Sequence, residues 1–250
     1  MEPLLYSIVF LYGIVIGSFL NVLIYRIPRN ENFVISRSHC MSCGYQLKWY
    51  DLVPVFSYLL LKGKCRKCQK KISIQYPIVE AANGILYLVI FAVNGWQVTS
   101  IIYCLLTSLL IVLSVIDFRT YEIPEGINIA IGVLGIVTIA FDIANWLNYV
   151  IGFCSVSLFL MLLFLLSKGR AIGGGDIKLM AVSGLVIGWK ANILAFFVAC
   201  LLGSIIHTIR MKLTKEDHVL ALGPYLAMGI FIAALWGEGL YEWYFHFMGL

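Results

Sequence analysis

Long apolar runs, broken by short polar and mostly basic stretches, set the pattern of this chain. Apolar segments recur at 4–24, 77–93, 98–116, 127–141, 149–166, 177–189, 191–209 and 220–236. Segments of about 13–21 residues suit helices crossing a hydrocarbon core about 30 Å thick, the shorter ones marginally. Period-2 alternation is absent, and lipid cannot satisfy free backbone polar groups, so helices are expected. The predicted fold class is an all-α polytopic membrane protein with about eight transmembrane helices. Composition agrees: the chain is 61% hydrophobic and only 12% charged, where a soluble domain is about half apolar and a quarter charged. So many apolar segments argue against reading the first as a removed signal peptide.

Charge orients the helices. With the N-terminus outside, the inner loops are 25–76, 117–126, 167–176 and 210–219. Together with Lys178, they hold every Lys and Arg except Lys190. By the positive-inside rule the chain is N-out, with these loops in the cytosol. The organisation expected is a first helix at 1–24, a basic cytosolic segment at 25–76 and a membrane core at 77–250.

The cytosolic segment carries Cys40-Met41-Ser42-Cys43 and Cys65-Arg66-Lys67-Cys68, two CxxC pairs with 21 residues between them. This is close to the spacing of a four-cysteine zinc site. Two such pairs offer four thiolates to one tetrahedral ion, and Lys64, Arg66 and Lys67 favour the thiolate form. Cys40, Cys43, Cys65 and Cys68 are therefore the expected ligands of a structural zinc, which would fold a segment too small for its own core. Disulfides or redox thiols are the alternative, disfavoured in a reducing cytosol. His39 is read as a loop residue beside the cluster.

The acids are few enough to place one by one. Glu31, Asp51, Glu216 and Asp217 read as solvated loop residues. Glu80 reads as a helix-start carboxylate favoured by the dipole, or as a partner for a cytosolic cation. Asp117 ends the third apolar segment, just before a polar stretch that reaches Pro124. Asp176 opens the sixth, directly after Gly173, Gly174 and Gly175. Three glycines and a carboxylate at a membrane edge are both costly. The charge topology puts Asp117 and Asp176 at one inner boundary, where two carboxylates can share a proton, activate water and polarise a carbonyl. The glycines would let an extended backbone come close. Capping or interfacial carboxylates paired with Arg119 or Lys178 explain the same residues without catalysis.

Taken in order, several motifs resemble the type IV prepilin peptidases, membrane aspartyl proteases with a GxGD motif. They are Gly17-Ser18-Phe19-Leu20-Asn21-Val22 through Tyr25-Arg26 and Pro28, Ser36-Arg37-Ser38-His39-Cys40, Asp51-Leu52-Val53-Pro54, Ser57-Tyr58, Gly63-Lys64-Cys65, Tyr76-Pro77-Ile78-Val79-Glu80, Asp117 with Ile123-Pro124, Gly173-Gly174-Gly175-Asp176-Ile177-Lys178, and Gly223-Pro224-Tyr225-Leu226-Ala227. Met41 departs from the proline frequent after the first cysteine, with both thiols retained.

The resemblance implies cleavage of the basic leader from prepilins and pseudopilins at the cytosolic face of the bacterial inner membrane. Asp117 and Asp176 would be catalytic, and Gly173, Gly174, Gly175 and Lys178 would support them. It also implies N-methylation of the new terminus with S-adenosylmethionine. Basic residues of 25–76 would meet anionic lipid headgroups, and no nucleic-acid partner is expected. Two other classes compete: an ion-coupled transporter with boundary carboxylates, and a membrane-anchored binding module using the zinc segment.

Overall fold

The computed structural model describes residues 2–32, 37–170, 172–214 and 220–248. Glu216, Asp217 and Ser36 lie outside them. In chain order the helices are α1 (Glu2–Arg26), α2 (Phe56–Leu60), α3 (Gln75–Asn94), α4 (Val98–Thr120), α5 (Glu125–Phe141), α6 (Trp146–Leu166), α7 (Gly174–Thr214) and α8 (Gly223–Met248). The segment 25–76 adds α2, short 3-10 turns and two isolated bridges, His39 with Gln46 and Lys64 with Lys71. Among the described residues, six helices are long and apolar enough to cross a membrane, and α5 is an apolar helix of 17 residues. Two compact units divide within α4: Met1–Val112 and Leu113–Leu250.

In the first unit α1 packs on α3. Lipid gives two apolar helices little reason to associate, so close approach through small residues and interhelical hydrogen bonds decides the contact. Gly17 supplies the approach: a Cβ there would stand 2.7 Å from the Glu80 Cα. Asn21 and Asn83, both buried, supply the hydrogen bonds. Asn21 donates to the Tyr76 carbonyl at 3.1 Å and Asn83 to the Gly13 carbonyl at 2.7 Å. The other face of α1 exposes Leu4, Ile8, Leu11, Val15 and Phe19, as a lipid-facing surface requires.

Two acids in this unit depart from the sequence reading. Asp51 is buried and pairs with Arg66 at 2.8 Å, so it is not a solvated loop residue. Glu80 lies in the second turn of α3, not at its start. It accepts the Val55 amide at 2.7 Å and thereby ties the 25–76 segment to the helix. Val55 needs that tie, because its φ of 60° is costly for a β-branched residue.

In the second unit α7 is the centre, packing on α5, α6 and α8. It is two helices. Gly188 has φ 76° and ψ 171°, outside helical geometry, and only glycine takes this conformation without strain. Asn192, fully buried, donates to the Met180 carbonyl at 3.0 Å and accepts from Ser183 Oγ at 3.0 Å. Twelve residues of straight helix would span about 18 Å, so the chain reverses at Gly188 and its arms, 174–187 and 189–214, run side by side. The expected segments 177–189 and 191–209 are these two arms, and all eight predicted segments are helical.

A second donor contact, Asn192 to the Gly152 carbonyl at 3.1 Å, fastens α6 to the hairpin. There the backbones of Gly152 and Gly184 touch, leaving no room for a Cβ on either. Gly184→Val should therefore destabilise the unit by about 1–3 kcal/mol, the cost of overpacking a close crossing. Thermal unfolding of the purified protein in detergent should show a lowered midpoint, while Gly239→Ala, whose Cβ would meet nothing within 4 Å, should not move it.

Candidate active site and metal centre

The link between α4 and α5 creates one half of the site. Tyr121, with φ 56°, is a left-handed residue whose amide bonds back to the Asp117 carbonyl at 2.8 Å, closing α4. Pro124 then caps α5 with its φ already set at −61°. Asp117 is left one turn from the end of α4 and buried, 4% exposed. Its Oδ2 accepts the Gly223 amide at 2.9 Å. Gly223 opens α8, so the carboxylate sits on the positive end of that helix. A Cβ on Gly223 would stand 2.7 Å from the same oxygen. Only glycine at this position brings the amide so close.

The start of α7 creates the other half. Asp176 is the third residue of the helix and its carboxylate accepts the amide of Gly173, the residue preceding it. This is the return arm of a capping box, in which an acid in the first turn satisfies the cap amide. The carboxylate is half-buried, more open than Asp117, and lies within Coulomb range of it.

The three glycines differ. A Cβ on Gly173 would stand 3.0 Å from Asp176 Oδ2, and one on Gly175 would stand 2.9 Å from the Ile123 Cβ. One on Gly174 would meet nothing within 4 Å. Gly175 thus sets the start of α7 against the α4–α5 link, where Asn128 also donates to its carbonyl at 3.5 Å. Gly174 faces open space, where an extended chain has room. Lys178 pairs with Glu125 across the α5–α7 contact, both exposed. It braces the rim rather than neutralising Asp176.

Asp117, Asp176 and the glycine run, picked out from sequence alone, thus come together at one end of the second unit. Gly223 was not expected as a site residue. Its signal was the Gly223-Pro224 pair opening an apolar segment, the composition of a helix start.

The cysteines converge as expected. The sulfurs of Cys40, Cys43, Cys65 and Cys68 lie within 4.8 Å of one another, with Cys40 to Cys68 at 3.8 Å. A tetrahedral ion with metal–sulfur distances near 2.3 Å needs sulfurs about 3.8 Å apart, so the set fits zinc. Each pair forms the same knuckle. The first cysteine amide bonds to the carbonyl five residues on, Tyr45 or Lys70, and its carbonyl accepts from Gly44 or Gln69. Gly44 and Gln69 both have positive φ.

Burial opposes ionisation of Cys40, but the Ser42 and Cys43 amides and neighbouring thiols outweigh it and bring its pKa down to about 6. At Cys43 the Tyr45 amide favours the thiolate, but burial and the other thiols prevail and push it up to about 11. Four thiolates so close require a divalent cation among them. His39 is exposed and its ring meets the Arg37 carbonyl at 3.3 Å, outside the tetrad.

Comparison with known proteins gives two family matches. The Bacterial Peptidase A24 N-terminal domain matches residues 11–94, and the Type IV leader peptidase family matches residues 104–208. Among named proteins, a prepilin leader peptidase/N-methyltransferase of Aeromonas salmonicida is 31% identical, covering 96% of this chain and 94% of the relative. Proteins of the same name from Pseudomonas aeruginosa and Pseudomonas putida are 30% and 29% identical over 96% of the chain, covering 93% and 94% of their own lengths. No solved structure matches the chain.

The metal centre makes a direct prediction. Purified protein should contain about one zinc per chain. Cys43→Ser together with Cys68→Ser should remove it and expose the 25–76 segment to protease. Elemental analysis and limited proteolysis measure both, and a metal-free preparation with a protected segment would contradict the assignment.

Proposed function

Because this chain belongs to the type IV leader peptidase family, we propose that Asp117 and Asp176 are the catalytic pair with which it hydrolyses the leader peptide bond of type IV prepilins and pseudopilins. The observation that carries this reading is the meeting of the two carboxylates at one end of the helices, each on a glycine amide at a helix start. An ion-coupled transporter accounts for this less well, since its carboxylates belong near the bilayer midplane.

The mechanism follows from the geometry. The two carboxyls hold one proton between them. The ionised one takes a proton from a water as its oxygen attacks the scissile carbonyl, and the protonated one donates to the carbonyl oxygen. The tetrahedral intermediate collapses, the C–N bond breaks, and the amine leaves with a proton returned from the pair. The Gly223 and Gly173 amides keep the acids aimed while the charge moves between them. The open space beside Gly174 admits the substrate backbone.

By the positive-inside rule, the distribution of Lys and Arg supports a cytosolic location for this end and for the zinc-bearing segment, with the N-terminus outside. The substrate's basic leader would then lie in the cytosol while its apolar helix stays in the membrane. Gly173, Gly174, Gly175 and Lys178 support the site, through carboxylate aim, substrate access, helix packing and the Glu125 brace respectively.

Cleavage produces a new α-amine, and the enzyme then methylates it. S-adenosylmethionine supplies the methyl group: its S–CH₃ bond breaks as an N–CH₃ bond forms, the sulfonium becomes a neutral thioether and the amine releases one proton.

Asp117→Asn and Asp176→Asn should each lower cleavage of a prepilin about a thousandfold, with the protein still in the membrane. Retention of near-normal cleavage by either would remove that residue from the pair. The glycines should separate. Gly173→Ala and Gly223→Ala, which press on a carboxylate oxygen, should lose about ten- to a hundredfold of kcat, while Gly174→Ala should cost far less. Mass spectrometry of the mature pilin should show one added methyl on its N-terminal residue, and an unmodified amine under saturating S-adenosylmethionine would exclude the transfer.

A further inference from the structure

The first unit contains a cavity of about 350 Å³ that the hydrolytic site does not use. Its walls come from α1, the zinc-bearing segment and the start of α3. The volume is within the range of small-molecule sites, which are mainly apolar with a few convergent polar groups. Leu47, Leu52, Leu61 and Val22 supply apolar wall, and Tyr25, Tyr58 and Tyr76 supply aromatic rings.

Three buried charges border this cavity, and one of them, Asp51, is paired with Arg66 at 2.8 Å. Glu80 is 6% exposed and, among the described residues, forms no ion pair. Its known partners are the Val55 amide and the Ser18 hydroxyl. Arg26 is also 6% exposed, held in place by the carbonyls of Asn32 and Arg37. Glu80 packs beside Gly17, and Arg26 lies nine positions further along α1, roughly 13 Å at the helical rise. The Glu80 carboxylate and the Arg26 guanidinium therefore border the cavity at different heights along α1, and Tyr25, Tyr58 and Tyr76 line it with them. A buried carboxylate is costly unless a cation or dipole meets it.

We infer that this cavity binds the methyl donor S-adenosylmethionine, its sulfonium toward Glu80 and its amino-acid carboxylate toward Arg26. That ligand carries both charges and a flat, stackable adenine, the complement of these walls. Sulfonium cations are also attracted to aromatic faces. Cys40 and Cys65 border the cavity too, so the metal knuckles form part of its wall. The inference rests on the methyl-transfer reading above and adds the place where the donor sits.

Equilibrium dialysis of the zinc-loaded, full-length protein in detergent tests this, with S-adenosylhomocysteine as the probe because the enzyme cannot consume it. Wild type should bind it. Glu80→Gln keeps an acceptor for the Val55 amide but removes the charge, and Ser57→Leu fills the cavity. Each should weaken binding about tenfold or more, with zinc per chain unchanged.

Wild-type binding with unaltered affinity in both variants would overturn the cavity and leave methyl transfer standing. Absence of binding to wild type, of S-adenosylhomocysteine and S-adenosylmethionine alike, would overturn both. Photo-crosslinking of S-adenosylmethionine to wild type needs no variant to fold: label on peptides between residues 18 and 80 supports the cavity, and label confined to Leu113–Leu250 overturns it.

Discussion

A carboxylate at the edge of a hydrocarbon layer must be given donors or it will not hold its place as a charge. The second unit meets that demand with backbone. Gly223 gives its amide to Asp117 and Gly173 gives its amide to Asp176. Both amides belong to helix starts, where they have no partner within the helix. Among the described residues no salt bridge reaches either acid, and Lys178, two residues from Asp176, is taken by Glu125. That matters for the chemistry: a lysine salt bridge would hold one carboxyl permanently ionised, whereas neutral amides leave both free to exchange a proton.

The same economy governs the packing. Helices in lipid gain little from burying apolar surface, so they must come close enough for dispersion and hydrogen bonds to hold them. Gly152 and Gly184 bring α6 to the α7 hairpin until their backbones touch, and Asn192 uses the approach to bond Gly152, Met180 and Ser183 at once. The hairpin returns the chain to the end where α8 begins. Without the reversal at Gly188, Gly223 would not stand beside Asp117.

Local pattern made the spans, the CxxC pairs and the glycine–aspartate run legible in the sequence. Even the reversal in α7 was marked, since Lys190 separates two apolar segments and falls two residues from Gly188. What the sequence hid depended on partners far along the chain. Asp51 looks like any loop acid until Arg66 is found against it, and Glu80 looks like a helix-start acid until the Val55 amide reaches it. Gly223 carried its function in a backbone amide, which leaves no chemical mark in a sequence beyond the glycine itself.

One chemical fact sets the order of cleavage and methylation. Methyl transfer needs a free α-amine, and before hydrolysis that nitrogen is an amide whose lone pair is delocalised into the carbonyl. Breaking the peptide bond creates the acceptor, so methylation follows cleavage whatever the arrangement of the sites. The zinc segment therefore need not sense the state of Asp117 and Asp176. It needs to be folded, and a segment with few buried apolar side chains would be folded by a bound metal rather than by a core. Cys65 is buried and lines the cavity while Cys43 is exposed, so an ion held by all four cysteines would couple an outer loop to the cavity wall.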